Sequence, residues 1–235
     1  MLDTLSREEV DAQLAGSPEA RAALIREGAE GGVAEAQAVY GQMLLDRGEA
    51  STALIWFVKA AAQHNVIALN MVGRCYDLGW GTAPDKRRAA ECYRVAATRG
   101  LDWAMYNYAT LLALGDGVAQ DRAAALAWLE KAADMDNAKA MNFVGSFAED
   151  GWACERDLAR AAAFYARAAA GGDFRGCFNH ARMLTNEGRI DEALTWLRRA
   201  GATATPAFVD KAAAWCESSP LGVTGAAAVR EGARC

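Results

Sequence analysis

The sequence predicts an all-α fold, a right-handed α/α superhelix (solenoid) of about five helix-turn-helix repeats with capping helices. Three observations lead to it. Alanine or glycine recurs at Ala36, Ala68, Ala104, Ala140 and Gly176, and a small residue follows five positions later at Gly41, Gly73, Ala109, Gly145 and Ala181. The first interval is 32 residues and the next three are 36, the fixed period of a stacked repeat with a loop of variable length. Alanine pairs one heptad apart form a second series, Ala53/Ala60, Ala89/Ala96, Ala125/Ala132, Ala161/Ala168 and Ala193/Ala200. Seven residues is about two turns, so both members of a pair share a helix face. Thirdly, the central units separate their helices with Gly79-Trp80-Gly81, Gly115-Asp116-Gly117 and Gly151-Trp152-Ala153, each followed by Asp85, Asp121 or Asp157. Glycine ends a helix by adopting positive φ, and Asp starts the next by accepting from a free backbone N–H.

In chain order, residues 1–32 read as N-terminal capping helices. Ser6-Arg7-Glu8-Glu9 has the capping-box pattern, and Ser17-Pro18 pairs an N-cap with a favoured first-turn proline. Residues 18–32 also look like the second helix of an incomplete preceding unit. Five units fill 33–205, divided at about 33–65, 66–100, 101–136, 137–172 and 173–205, and each holds a short first helix and an alanine-rich second one. The outer units use the tight connections Asp46-Arg47-Gly48-Glu49 and Asn186-Glu187-Gly188-Arg189. Large apolar residues recur at Met43, Cys75, Leu111, Phe147 and Met183 on the first helix, and at Trp56, Cys92, Trp128, Phe164 and Trp196 on the second. Both rows are expected in the core. Residues 206–235 supply a capping helix from Pro206 to Cys216 and a tail from Ser218, either frayed or weakly helical around Ala226 to Glu231.

The repeat resembles the Sel1-like repeat family, relatives of the tetratricopeptide repeat with a longer loop between the helices. WAMYNYATLLALGDGVAQDRAAALAWLEKAA (Trp103 to Ala133) and IALNMVGRCYDLGWGTAPDKRRAAECYRVAA (Ile67 to Ala97) carry the resemblance, which covers roughly 18–205. It implies a bacterial scaffold for protein–protein interaction that binds along its concave face. Some bacterial members mask a partner as inhibitors or immunity-type proteins. Others are cysteine-rich and penicillin-binding, with periodic cysteines that staple adjacent helices. Here the four cysteines within the repeats, Cys75, Cys92, Cys154 and Cys177, occupy four different repeat positions, which departs from that pattern.

Composition narrows the function further. A net charge of −5 argues against a general nucleic-acid binder, which needs clustered Lys and Arg. No window approaches the roughly 20 apolar residues of a membrane span. The N-terminus does not read as a secretory signal, so a cytoplasmic location is expected, or a periplasmic one if a signal peptide has been removed. No HExxH, nucleophile-elbow, phosphate-loop or dinucleotide motif is present, and the two histidines, His64 and His180, read as a loop residue and a packing residue. No close cysteine pair suggests zinc. Neither enzyme activity nor a cofactor or metal is expected, and Cys75 and Cys92 are expected to be buried, reduced thiols.

The remaining chemistry lies on the first helices, whose residues four apart point the same way. Glu35/Val39, Ile67/Met71, Trp103/Asn107, Lys139/Phe143 and Arg175/Asn179 form one such row, and Gln42, Arg74, Thr110, Ser146 and Arg182 the next. The expected peptide-binding residues are Asn70, Arg74, Trp103, Tyr106, Asn107, Lys139, Asn142, Arg175, Phe178, Asn179 and Arg182. Lys or Arg with Asn at this spacing suits an acidic or C-terminal carboxylate of a protein or peptide partner. An amide that ties helices together is the alternative for Asn107 and Asn179. The Trp80 and Trp152 loops offer further aromatic surface.

Overall fold

The computed structural model describes residues 16–234. The capping-box pattern at Ser6 to Glu9 and Cys235 lie outside the described residues. Thirteen helices and no strand occur among those described: α1 Pro18–Glu30, α2 Ala34–Asp46, α3 Ala50–Ala62, α4 Val66–Leu78, α5 Lys86–Thr98, α6 Asp102–Leu114, α7 Arg122–Asp134, α8 Ala138–Asp150, α9 Leu158–Ala170, α10 Phe174–Asn186, α11 Ile190–Thr203, α12 Pro206–Glu217 and α13 Gly222–Gly232. The fold is an all-α repeat superhelix by class, and it divides into two compact units, one up to Gln120 and one from Asp121 onward.

The predicted punctuation is in place. Gly79, Gly115 and Gly151 end α4, α6 and α8 in the left-handed region, and Asp85, Asp121 and Asp157 cap α5, α7 and α9 by accepting from the N–H of Arg88, Ala124 and Arg160. Ser17 caps α1 by accepting from Ala20 N–H at 3.2 Å. Asn65, Asn137 and Asp173 also cap α4, α8 and α10. These three caps recur three residues before the anchor, so the sequence carries a signal for the start of the first helix as well as for the second. Successive repeats join through a three-residue turn whose middle residue has positive φ: Gly32, His64, Gly100, Asp136 and Gly172. His64 is thus an exposed turn residue, as the sequence indicated.

Packing follows the small residues. All ten alanines of the heptad pairs are fully buried, and so are Ala68, Ala104 and Ala140. In the first unit, a Cβ added to Gly41 would lie 2.8 Å from the Phe57 ring, and one on Gly73 would lie 2.7 Å from Tyr93. In the second, a Cβ on Gly145 would lie 2.6 Å from Tyr165. Each glycine therefore accepts an aromatic ring from its repeat's second helix, a close approach that any side chain would block.

This geometry corrects the expected second-helix core. The fully buried row is Phe57, Tyr93, Leu129, Tyr165 and Leu197, while Trp56, Cys92, Trp128, Phe164 and Trp196, one position earlier, are half-buried. Both rows lie within one turn of the alanine pair, on opposite sides of it, so the heptad alone does not choose between them. The glycine gap in the first helix does. The earlier row instead carries cations: Lys59 lies 4.0 Å over Trp56, Lys131 4.5 Å over Trp128 and Arg199 4.5 Å over Trp196.

In the second unit, α12 and α13 close the array. A Cβ on Gly201 would stand 2.0 Å from the Val229 carbonyl oxygen, and one on Gly232 would stand 1.9 Å from that of Arg198. The backbones of α11 and α13 are therefore in direct contact, and Ala226, Ala228 and Val229 are buried beneath them. The tail is an ordered helix, longer than the stretch from Ala226 to Glu231.

Candidate functional site

In the first unit, the first-helix face presents a row of large apolar side chains. Val39 on α2, Ile67 on α4 and Trp103 on α6 are 47%, 61% and 46% exposed. Trp103 meets Tyr106 edge to face at 6.4 Å. Asn70 is buried, and its Oδ1 accepts from Asn107 Nδ2 at 3.0 Å, so this amide pair ties α4 to α6. Arg74, half-buried, lies 4.6 Å over the Trp80 ring, with Nη1 3.7 Å from Met71 Sδ.

The second unit repeats the amide pair. Buried Asn142 accepts from Asn179 Nδ2 at 2.8 Å, which joins α8 to α10. Asn179 Oδ1 accepts from Arg182 Nη1 at 2.9 Å. The same guanidinium grips Glu149, with Nη2 2.6 Å from Oε1 and Nη1 3.3 Å from Oε2. Tyr165 donates to Glu149 Oε2 at 2.7 Å. Burial pushes the Glu149 carboxyl up, but the bonds from Arg182 and Tyr165 outweigh it and hold the group below the ordinary carboxylate value. Arg182 is therefore committed to an internal clamp.

Arg175 is exposed and rests 4.6 Å over Phe174 and 6.0 Å over Phe208. Phe178 is not a free groove residue. It packs 5.6 Å from Phe208 and 5.2 Å from Trp215, in the aromatic cluster that seats α12. Lys139 is half-buried, and its charge acts on Asp173, which caps α10. Of the two loop tryptophans, Trp80 is half-buried in the first unit. Trp152 in the second is 38% exposed, edge to face with Phe147 at 5.6 Å and covered by Arg122 at 4.6 Å.

The five described cysteines are free thiols. Cys75 is buried as expected, and burial raises its pKa to about 11. Cys92 is only half-buried, because it belongs to the outer of the two second-helix rows, and it lines a 490 Å³ cavity with Val58, Leu69 and Val72. Among the described residues no group of His, Cys, Asp and Glu could hold a metal ion. No described helix is long and apolar enough to cross a membrane.

Helix pairs in register, glycine-capped loops and residue ladders between successive first helices define a helical repeat protein of the tetratricopeptide-like class. Within that class, the chain belongs to the Sel1 repeat family, whose model matches residues 34–65, 66–101, 104–137 and 138–173, more than half of its length. The fold is similar to that of a Sel1 repeat protein from Oxalobacter formigenes, with TM-score 0.71 and 23% identity over 93% of this chain and 90% of that one. It is also similar to a protective antigen of uropathogenic Escherichia coli strains with an SLR fold, with TM-score 0.66 and 19% identity over 92% of this chain. The alignment spans 49% of the antigen, about half its length. An immunity protein from Pseudomonas aeruginosa aligns with TM-score 0.52 and 16% identity over 76% of this chain and 67% of that one. No curated protein matches the chain in sequence. The Sel1 repeat is an interaction scaffold, and the family is generally non-catalytic.

Proposed function

We propose that the protein is a non-catalytic adaptor that binds a protein or peptide through the faces of its first helices. The observation that carries this reading is the exposure of Ile67 and Trp103, large apolar side chains at one repeat position on two successive first helices, with Val39, one turn further along the first helix of the preceding repeat, exposed as well. Packing gives no reason to leave large apolar side chains exposed on one face of successive helices, and apolar surface of this kind marks an interaction site. In the second unit the same row is Lys139, Phe143, Arg175 and Asn179, which favours an acidic segment or a chain-terminal carboxylate. Charge-assisted hydrogen bonds of this kind contribute about 1.5–3 kcal/mol each.

The test begins with capture of the partner by the full chain from its native organism, followed by affinity measurement on the purified pair. Lys139→Ala with Arg175→Ala is expected to weaken binding at least tenfold without unfolding the protein, as checked by circular dichroism, and rising salt is expected to weaken it as well. An unchanged affinity in the double variant would move the interface off this face. The likeness to an immunity protein supports a second reading, in which the bound partner is an enzyme or toxin held inactive. A captured partner whose activity survives stoichiometric complex formation would exclude that reading and leave the adaptor role.

A further inference from the structure

Arg74 and Arg182 occupy the same position of the repeat, six residues after the anchors Ala68 and Gly176. Each lies on a first helix, half-buried, facing the first helix of the repeat before it. What they meet there differs. Arg182 is clamped by Glu149, nine residues after the anchor of the preceding repeat. The residue at that position before Arg74 is Leu45, which has no charge to offer. Arg74 instead lies over the Trp80 indole, 4.6 Å from the ring centroid, and makes no ion pair among the described residues. Beside it opens a 530 Å³ cavity, wholly within the first unit, between the end of α2, the start of α3 and the Trp80 loop.

We infer that this cavity is a carboxylate-binding subsite, in which Arg74 receives from a ligand the group that Glu149 supplies internally to Arg182. The inference rests on the reading of the first-helix faces as the binding surface. A guanidinium over an indole can still present its N–H fork to one carboxylate, and the one hydrogen-bond partner of Arg74 among the described residues is the weak acceptor Met71 Sδ, at 3.7 Å from Nη1. Leu45 gives the incoming group an apolar wall. Gln42 also borders the cavity and holds Asp46, the one acid among its lining residues, through Nε2 to Oδ1 at 2.6 Å. The platform is rigid, because the loop carrying Trp80 is pressed onto α3. A Cβ on Gly81 would lie 2.4 Å from the Ala50 carbonyl oxygen. A site fixed in advance loses less freedom when the ligand arrives.

The test uses the full chain with nitrogen-15-labelled arginine and follows the Arg74 Nε–H resonance, assigned by its loss in Arg74→Gln. N-acetyl-leucine presents a chain-terminal carboxylate, N-acetylglutamic acid α-amide a side-chain carboxylate, and N-acetyl-leucine amide neither. A saturable shift with either acid, at least about tenfold tighter than with the uncharged amide, is expected, and the tighter acid identifies the source. Equal responses to acid and amide, or none, would overturn the subsite. Leu45→Glu is expected to shift the resonance without any ligand and to abolish the titration, because it rebuilds the Glu149 clamp. Should that variant fail to fold, Arg74→Gln serves instead, and a saturable response of the Trp80 indole that persists in it would overturn the proposal. A positive titration alongside unchanged partner binding in the Lys139 and Arg175 variants would reject the face reading and keep the pocket, and the opposite pair of results would reject the pocket alone.

Discussion

Two tyrosines at matched positions, Tyr93 in the first unit and Tyr165 in the second, each donate to a buried-side carboxylate nine residues after an anchor, Asp77 and Glu149. The cations come from different places. Asp77 pairs with Lys86, the first residue of α5, and the first-helix position that could have reached it from the next repeat is Thr110. Glu149 pairs with Arg182 from the next first helix, and the residue matching Lys86 is Leu158. The repeat thus has two routes to the same neutralisation. The unit that uses the second-helix route leaves its first-helix row free of the task, whereas the unit that uses the first-helix route commits one of that row's cations, Arg182, to an internal pair. Where the second helix carries Phe57, Leu129 or Leu197 instead, no hydroxyl requires an acceptor, and the acid is replaced by Leu45, Ala113 or Thr185.

The sharpest way to break this comparison is at the loops. Gly81 and Ala153 hold the same loop position, both with positive φ, at 72° and 57°. Gly81→Ala combines left-handed strain with the collision against Ala50, and a loss of about 2–3 kcal/mol in urea unfolding is expected. Ala153→Gly relieves strain without any such collision and is expected to stabilise by roughly 0.5 kcal/mol. Changes of the same sign would show that the two loops dock alike.

Next in size are the carboxylates. Glu149→Leu removes the carboxylate paired with Arg182, which keeps Asn179 Oδ1, and leaves the Tyr165 hydroxyl with Ser146 Oγ alone at 3.3 Å, at a cost of about 2 kcal/mol. Asp77→Leu strands only Tyr93, because Lys86 keeps Asp116 at 3.3 Å, so a loss of about 1 kcal/mol is expected. Since the folded Glu149 carboxyl titrates below its unfolded value, its contribution is present above about pH 4.3 and is lost as pH falls through the folded value. The Leu variant should lack that acid limb.

The smallest effect belongs to His180, whose ring packs against Trp196 at 5.3 Å and whose buried Nδ1 has no hydrogen-bond partner. Burial, reinforced by Arg189, pushes its pKa below the usual 6.5. The unfolded chain therefore takes up the proton first, and stability should decline shallowly as pH falls from about 6.5 to the folded value. His180→Phe should flatten that slope. A slope unchanged by the substitution would assign it to another group.

The repeat, its caps and its close helix contacts were legible because each depends on a residue type with one dominant local behaviour. Gly79 must end a helix where it stands, Asp85 must cap, and Ala89 leaves room for a neighbour. The choice between Trp56 and Phe57 was not legible from the heptad, since it depends on which side of the helix meets Gly41. The face that holds Arg74 and Arg182 was legible, but their opposite circumstances were not. Those are set by Leu45 and Glu149, which lie 29 and 33 residues away in the sequence and become neighbours only when the repeats stack. The sequence expects Asn70 and Asn142 to be ligand contacts, and the structure instead buries both against amides of the next first helix.

The nested backbones of α11 and α13 also govern how the array can change in length. Gly201 and Gly232 let two helices meet with no side chain between them, so α13 fills the ground on which a further repeat would have to be laid. Duplicating the last repeat beyond Gly232 would add helices with nothing to stack on. A duplication placed among the inner repeats keeps α12 and α13 as the final layer. Helices α12 and α13 thus act as a terminator as well as a cover for the repeat that ends in α11.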